Sequence, residues 1–271
     1  MCSSDLPAVF WGKSMRSCRF VTCLAGGLLL SLLTGCTPPS QKAAPAAASH
    51  PDFSGVWMAF AAVNPDGGPA PRYSAGGQAA LDAFAAQFKQ IPETGAYCVP
   101  GGMPGVMLTT VSYPVEIVQT ASRLVMLAEL EMQVRRVFLD GRAHPTDYLP
   151  TGVGHSVGQW EGDQLVIDTG LLEEWRLKPW PRSEQMHVVE RLYLTKRSAV
   201  SAQSNAFVAS VEKPINDDVL VVEMTITDPM YYDNPQKRVA YYQRMGDTAT
   251  LEYACAAEAW LKELEKNRVS Q

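Results

Sequence analysis

From Pro51 onward the chain is cut into short segments of alternating apolar and polar residues, separated by Gly, Pro, Asn and Asp, and this rhythm limits the fold to antiparallel β-structure. Ten segments fit a strand: Phe53–Phe60, Val115–Gln119, Leu124–Leu130, Val134–Leu139, Ser156–Trp160, Gln164–Thr169, Met186–Thr195, Ala206–Val211, Val219–Thr227 and Lys237–Arg244. Asp140-Gly141 supplies a turn signal, and Glu161-Gly162-Asp163 reads as the tip of a hairpin. Only two stretches carry the three-and-four spacing of an amphipathic helix, Gln78–Lys89 with Ser74 as its cap, and Tyr253–Glu265. Many short strands with turns between them fit a barrel or a β-sandwich, and the barrel is favoured because closure removes exposed edges. The expectation is a mainly β, antiparallel barrel of about nine to ten strands, with one internal and one C-terminal helix.

The N-terminal part is of another kind. Lys13, Arg16 and Arg19 precede the apolar run Phe20–Leu33, which at 14 residues is short of the roughly 20 needed to span a bilayer and suits a secretory signal. Residues 1–14 fit no signal architecture, whereas a start at Met15 gives a compact signal of the usual form. Leu33-Thr34-Gly35-Cys36 resembles the lipobox of bacterial lipoproteins, in which cleavage leaves an N-terminal, lipid-bearing cysteine; a plain cleaved signal and a weak anchor helix are the competing readings. The expected organisation is therefore a signal over 1–35, lipidated Cys36 with a Pro/Ala-rich tether over 36–50, and one domain over 51–271. By resemblance to lipoproteins of double-membraned bacteria, Thr37 suits an outer-membrane anchor facing the periplasm.

Loss of residues 1–35 removes three basic residues and Asp5, which moves the formal charge from −5 to −7. That sign, and the absence of a polybasic run, excludes nucleic acid as a partner and leaves the lipid as the only attachment to the membrane. Cys98 and Cys255 are the two cysteines of the folded part, and an oxidising compartment favours a disulfide between them over two buried thiols.

Gly55-x-Trp57 on the first strand resembles the lipocalin start, where the Trp packs across the closed end of a barrel. The longer pattern, from Asp140-Gly141-Arg142-Ala143-His144-Pro145 through His155-Ser156-Val157-Gly158-Gln159-Trp160-Glu161-Gly162-Asp163 to Ser183-Glu184-Gln185-Met186-His187-Val188-Val189-Glu190-Arg191, resembles a family of exported bacterial proteins with a lipocalin-like β-fold and no assigned activity. The resemblance covers Phe53 to Trp260 and implies fold and export, but no reaction. Relatives in that family often carry His where Arg182 stands.

The residues best suited to chemistry are His144, His155 and His187, with Asp147 and Asp168, alongside Asp140, as carboxylates able to orient an imidazole. In the strand Met186–Thr195, His187, Val189, Arg191 and Tyr193 point to one face and Glu190 to the other, so His187 and Glu190 are not neighbouring ligands. No pair has a metal-ligand spacing, so no metal site is assigned and no cofactor is indicated. Nucleophile-elbow and phosphate-loop patterns are also missing.

Arg136, His144, His155, Trp175, His187, Arg191 and Tyr193 are the candidates to line a small-molecule site, with Trp175–Pro181 as a Trp/Pro-rich flap. Two functions follow: a membrane-tethered protein whose barrel binds a small, largely apolar ligand, or a periplasmic hydrolase, lyase or isomerase using a histidine/carboxylate or metal site in the same cavity. Without a catalytic spacing the sequence favours binding. A histidine/carboxylate cluster joined by mutual contacts beside an open cavity would favour the enzyme.

Overall fold

The computed structural model describes residues 50–67, 71–108, 113–200, 214–246, 250–252 and 256–269. Nine strands close into a barrel in chain order: β1 Gly55–Val63, β2 Pro114–Thr120, β3 Arg123–Ala128, β4 Gln133–Phe138, β5 His155–Glu161, β6 Gln164–Gly170, β7 His187–Lys196, β8 Asp218–Thr227 and β9 Gln236–Arg244. Neighbours pair antiparallel, β9 with β1 included, except that β4 and β5 run parallel through Val137↔Ser156 and Phe138↔Val157. The fold is thus the expected lipocalin-like barrel rather than a sandwich. The expected strand Ala206–Val211 lies outside the described residues.

Alternation sets the two faces of the wall. On β7, Val188, Glu190 and Leu192 are buried inward and His187, Val189 and Arg191 point out; on β4, Gln133, Arg135 and Val137 point in and Val134 and Arg136 out. The inward side chains fill the lumen. Trp57, Leu124, Leu165, Ile167, Val188, Val222 and Tyr242 belong to one buried cluster. In its middle a polar plug joins strands across the interior: Arg135 Nη1 donates to Glu190 Oε1 at 3.0 Å, Nη2 donates to Glu190 Oε2 and to Thr169 Oγ1, and Nε donates to Ser156 Oγ at 3.1 Å. Side chains of the described residues thus occupy the lumen, where the sequence reading expected a ligand cavity lined by the histidines.

Gly55 and Trp57 close one end. Trp57 is fully buried, its Nε1 donates to Phe53 O at 2.8 Å, and the Arg244 guanidinium lies 4.3 Å from its ring centroid. Gly55 has φ +121°, a backbone conformation that other residues rarely adopt, and a Cβ there would stand 2.8 Å from Arg244 Nη1, so the guanidinium would have to shift. Trp160 lies nearby, tilted against Phe53, and His50 stacks on it at 4.4 Å.

Among the described residues three α-helices accompany the barrel: α1 Ala75–Ala85, α2 Gly105–Leu108 and α3 Ala257–Lys266. α1 starts three residues earlier than the apolar spacing predicts, because Ser74 caps it by accepting from Gly77 N and is itself bonded through its backbone to Tyr231 O. Gly77 sits so close to Tyr231 that a Cβ would meet its carbonyl oxygen at 2.6 Å. α2, a single turn beside the Pro/Gly loop, was not expected.

Candidate functional site

The parallel pair dictates where the site forms. Because β5 runs in the same direction as β4, residues 139–154 must return along the outside of the barrel, and this crossover carries His144 onto the outer wall. The register prepares a place for it. His155 on β5 pairs with Gly170 on β6, and Thr169↔Val188 puts Gly170 beside His187 on β7, so one outward row reads His, Gly, His. A Cβ at Gly170 would come within 3.0 Å of the His187 ring. Asp168 faces out two residues earlier on the same strand, diagonal to His187.

The three histidines meet around this row. His144 Nδ1 and His155 Nδ1 are 2.9 Å apart, so one ring donates to the other and the two share a proton. His144 Nε2 is 3.5 Å from Asp168 Oδ2, and His187 Nδ1 is 3.6 Å from Asp168 Oδ1. His144 Nε2 is buried and lacks a hydrogen-bond partner among the described residues. Exposure grades across the cluster: His155 is buried, the His144 side chain is 25% exposed and that of His187 56%.

Aromatic groups frame His155. The Phe138 ring stacks on it at 5.0 Å, Tyr148 approaches edge-on at 6.1 Å, and the Arg142 guanidinium lies 4.0 Å from the Phe138 centroid. Burial pushes the His155 pKa below its ordinary 6.5, and the nearby His144 and Arg142 push the same way. Asp140 pairs with Arg142, which holds its carboxyl down at about 2, so Asp140 serves the crossover and not an imidazole.

His155 forms part of the wall of an outer cleft of about 380 Å³. The other walls are Val134, Phe138, Tyr148, Leu149, Val153 and Leu171, with Arg136 as the charged group. Arg136 precedes Val137 as His155 precedes Ser156, so the two lie side by side on the outer face. Arg136 makes no ion pair or hydrogen bond to any described residue. Leu149, 85% exposed, overhangs the rim.

The other candidates lie elsewhere. Asp147 is exposed on the crossover, and the carboxylate near the histidines is that of Asp168 instead. Arg191 donates to Glu161 at 2.7 Å and Tyr193 to Glu223 at 2.8 Å, both further along the outer wall. Trp175 belongs to a second cleft at the barrel end; its backbone pairs with that of Arg182 in both directions, at 2.9 and 2.8 Å, so the Trp/Pro stretch is a pinned hairpin rather than a free flap. Arg182, wholly buried, clamps two loops by donating to Glu173 O at 2.8 Å, to Met103 O at 3.2 Å and to Gly101 O.

Sequence reasoning did not single out Gly170, Phe138, Tyr148 or Leu149. Asp-Gly after β4 signalled a turn, but nothing in periodicity says that the chain crosses over the wall rather than folding back as a hairpin. Among the described residues no group of three or more His, Cys, Asp or Glu is arranged to hold a metal ion. Cys98 is buried without a disulfide, and Cys255 lies outside the described residues, as do Cys36 and residues 1–35, where a signal is expected. No family model and no curated protein matches this chain.

Proposed function

We propose that the protein is an exported, lipid-anchored barrel that binds a small, largely apolar, acidic molecule on its outer wall and moves a proton on it, as a hydrolase, lyase or isomerase does. The observation that carries this reading is the 2.9 Å contact between His144 and His155 at the wall of an apolar cleft, with Asp168 behind it. A neutral His155 is a base at neutral pH, and its lowered pKa keeps it so. Proton uptake at its Nε2 is relieved by shifting the shared proton toward His144, whose Nε2 faces the Asp168 carboxylate. Arg136 supplies the charge for an anionic substituent, and Phe138, Tyr148 and Leu149 cover the apolar body.

Export and anchoring rest on the Leu33-Thr34-Gly35-Cys36 motif and the tether after it, an outer-membrane site facing the periplasm on Thr37, and family membership on the motif resemblance. The disulfide is also proposed. Ala256 N donates to Tyr97 O at 3.1 Å, so the residues adjoining Cys255 and Cys98 in sequence are bonded to each other.

The test is to incubate wild type and His155→Ala with a small-molecule extract and compare the two by untargeted mass spectrometry. Consumption of an acidic, largely apolar compound by wild type alone is expected, with both proteins retaining it on a filter. Equal retention with no conversion by either protein would leave a binder and overturn the acid–base role.

A further inference from the structure

Asp168 stands between two imidazoles, that of His144 on the crossover and that of His187 on β7. Its Oδ2 is 3.5 Å from His144 Nε2 and its Oδ1 is 3.6 Å from His187 Nδ1, so each carboxylate oxygen addresses a different ring. Both separations are longer than a strong hydrogen bond, yet short enough for a charge on either ring to be felt at the carboxylate. Among the described residues Asp168 has no other cation and no hydrogen-bond donor.

The strand register builds this arrangement. Asp168 lies opposite Val189 and Thr169 opposite Val188, which sets the carboxylate diagonal to His187 on the outer face. The His187 ring lies over Gly170, where a Cβ would meet its Cε1 at 3.0 Å and its Nδ1 at 3.4 Å. Thr227, opposite His187 on β8, donates from Oγ1 to His187 O at 3.3 Å. The other charges of the neighbourhood are engaged elsewhere: Asp140 with Arg142, Arg191 with Glu161, and Glu223 with the Tyr193 hydroxyl. Thr225 and Thr227, the outward residues of β8 nearest His187, carry no charge. Exposure separates the two rings, since His144 Nε2 is buried whereas the His187 side chain is 56% exposed. His187 therefore exchanges protons with water, while a charge on His144 has only Asp168 to answer it.

We propose that His187 is a positioning residue for the proton-moving site: it acts through Asp168, holding the carboxylate when protonated and leaving it to His144 when neutral, and so sets how readily the His144–His155 pair accepts a proton. This rests on the acid–base reading of that pair. One carboxylate cannot fully stabilise two imidazolium ions, so a proton on either side opposes a proton on the other. When the pair takes a proton from a bound molecule, Asp168 is drawn to His144 and a proton held on His187 is released to water. One proton enters and one leaves, and none has to cross the 3.5 and 3.6 Å gaps on either side of the carboxylate.

The experiment is an NMR pH titration of the ring Cε1–H signals of the four histidines in the full chain, with no ligand added. His187→Lys keeps a cation beside Asp168 throughout the titration and His187→Gln removes it, both at an exposed position that tolerates either side chain. The His155 midpoint is expected to lie about half a pH unit lower in His187→Lys than in His187→Gln. With Asp168→Asn added to both proteins, the difference is expected to shrink below about 0.2 unit. Equal midpoints in the Lys and Gln proteins overturn the proposal. A half-unit difference that survives Asp168→Asn overturns it too, because the charge would then reach the pair directly and not through the carboxylate. No substrate enters the measurement, so a protein that converts nothing can still show the coupling, and one that turns over a substrate can lack it.

Discussion

The Arg135–Glu190 plug allows a stability change to be worked out in advance. Both side chains are buried, at 2% and 0% exposure, and Arg135 spends three nitrogens on Glu190, Ser156 and Thr169. Glu190→Gln keeps the shape but removes the counter-charge, leaving a guanidinium in the lumen with neutral acceptors only. Removing one member of a buried pair costs about 3–5 kcal/mol. With a urea m-value of about 2–3 kcal/mol/M, the unfolding midpoint should fall by about 1–2.5 M. Arg135→Met should cost less, because Glu190 can then take up a proton, and its deficit should shrink as pH is lowered. The double variant Arg135→Met/Glu190→Leu should recover most of the loss, since Ser156 Oγ and Thr169 Oγ1 lie 2.9 Å apart and can satisfy each other. Urea unfolding of the four proteins, followed by tryptophan fluorescence, measures these differences. A Glu190→Gln midpoint within about 0.3 M of wild type, or a double variant as unstable as the worse single one, would refute the reasoning.

Gly55→Ala should destabilise the fold by about 1–3 kcal/mol, because φ +121° is unfavourable for alanine and the new methyl displaces Arg244 from Trp57; a lowered thermal midpoint checks it. The depressed pKa of His155 fixes a pH dependence: between its folded value and 6.5 the unfolded chain binds more protons, so stability should rise with pH across that window and turnover should fall on the acid side of it. His155→Gln should flatten that slope in urea midpoints taken at several pH values. Reduction of protein purified under oxidising conditions should lower its thermal midpoint if Cys98 is bridged, and Cys98→Ser should abolish the response.

The barrel was readable in the sequence because alternation along each strand reports which residues share a face, and β7 shows it directly: His187 out, Glu190 in. Alternation does not report which strands are partners or in which direction they run. The β4–β5 pairing was therefore invisible, and with it the route of residues 139–154 and the side of the wall on which His144 arrives. The same limit explains the lumen. Alternation alone puts Arg135 and Arg136 on opposite faces of β4, but that the Arg135 guanidinium finds Glu190, Ser156 and Thr169 depends on contacts between four strands. Gly170 reads as an ordinary strand end until His155 and His187 are seen on either side of it.

Around a closed ring each antiparallel neighbour reverses the direction of travel, and the reversals must cancel on returning to the first strand. An odd number of strands cannot satisfy that with antiparallel neighbours alone. Nine strands thus oblige at least one seam to be parallel, and here it falls between β4 and β5. A parallel seam cannot be bridged by a tight turn, so sixteen residues, 139–154, have to travel the outside of the wall. The external shelf that delivers His144 to His155 is in this sense a consequence of strand arithmetic. It also gives the protein a surface whose chemistry can vary without disturbing the packed interior.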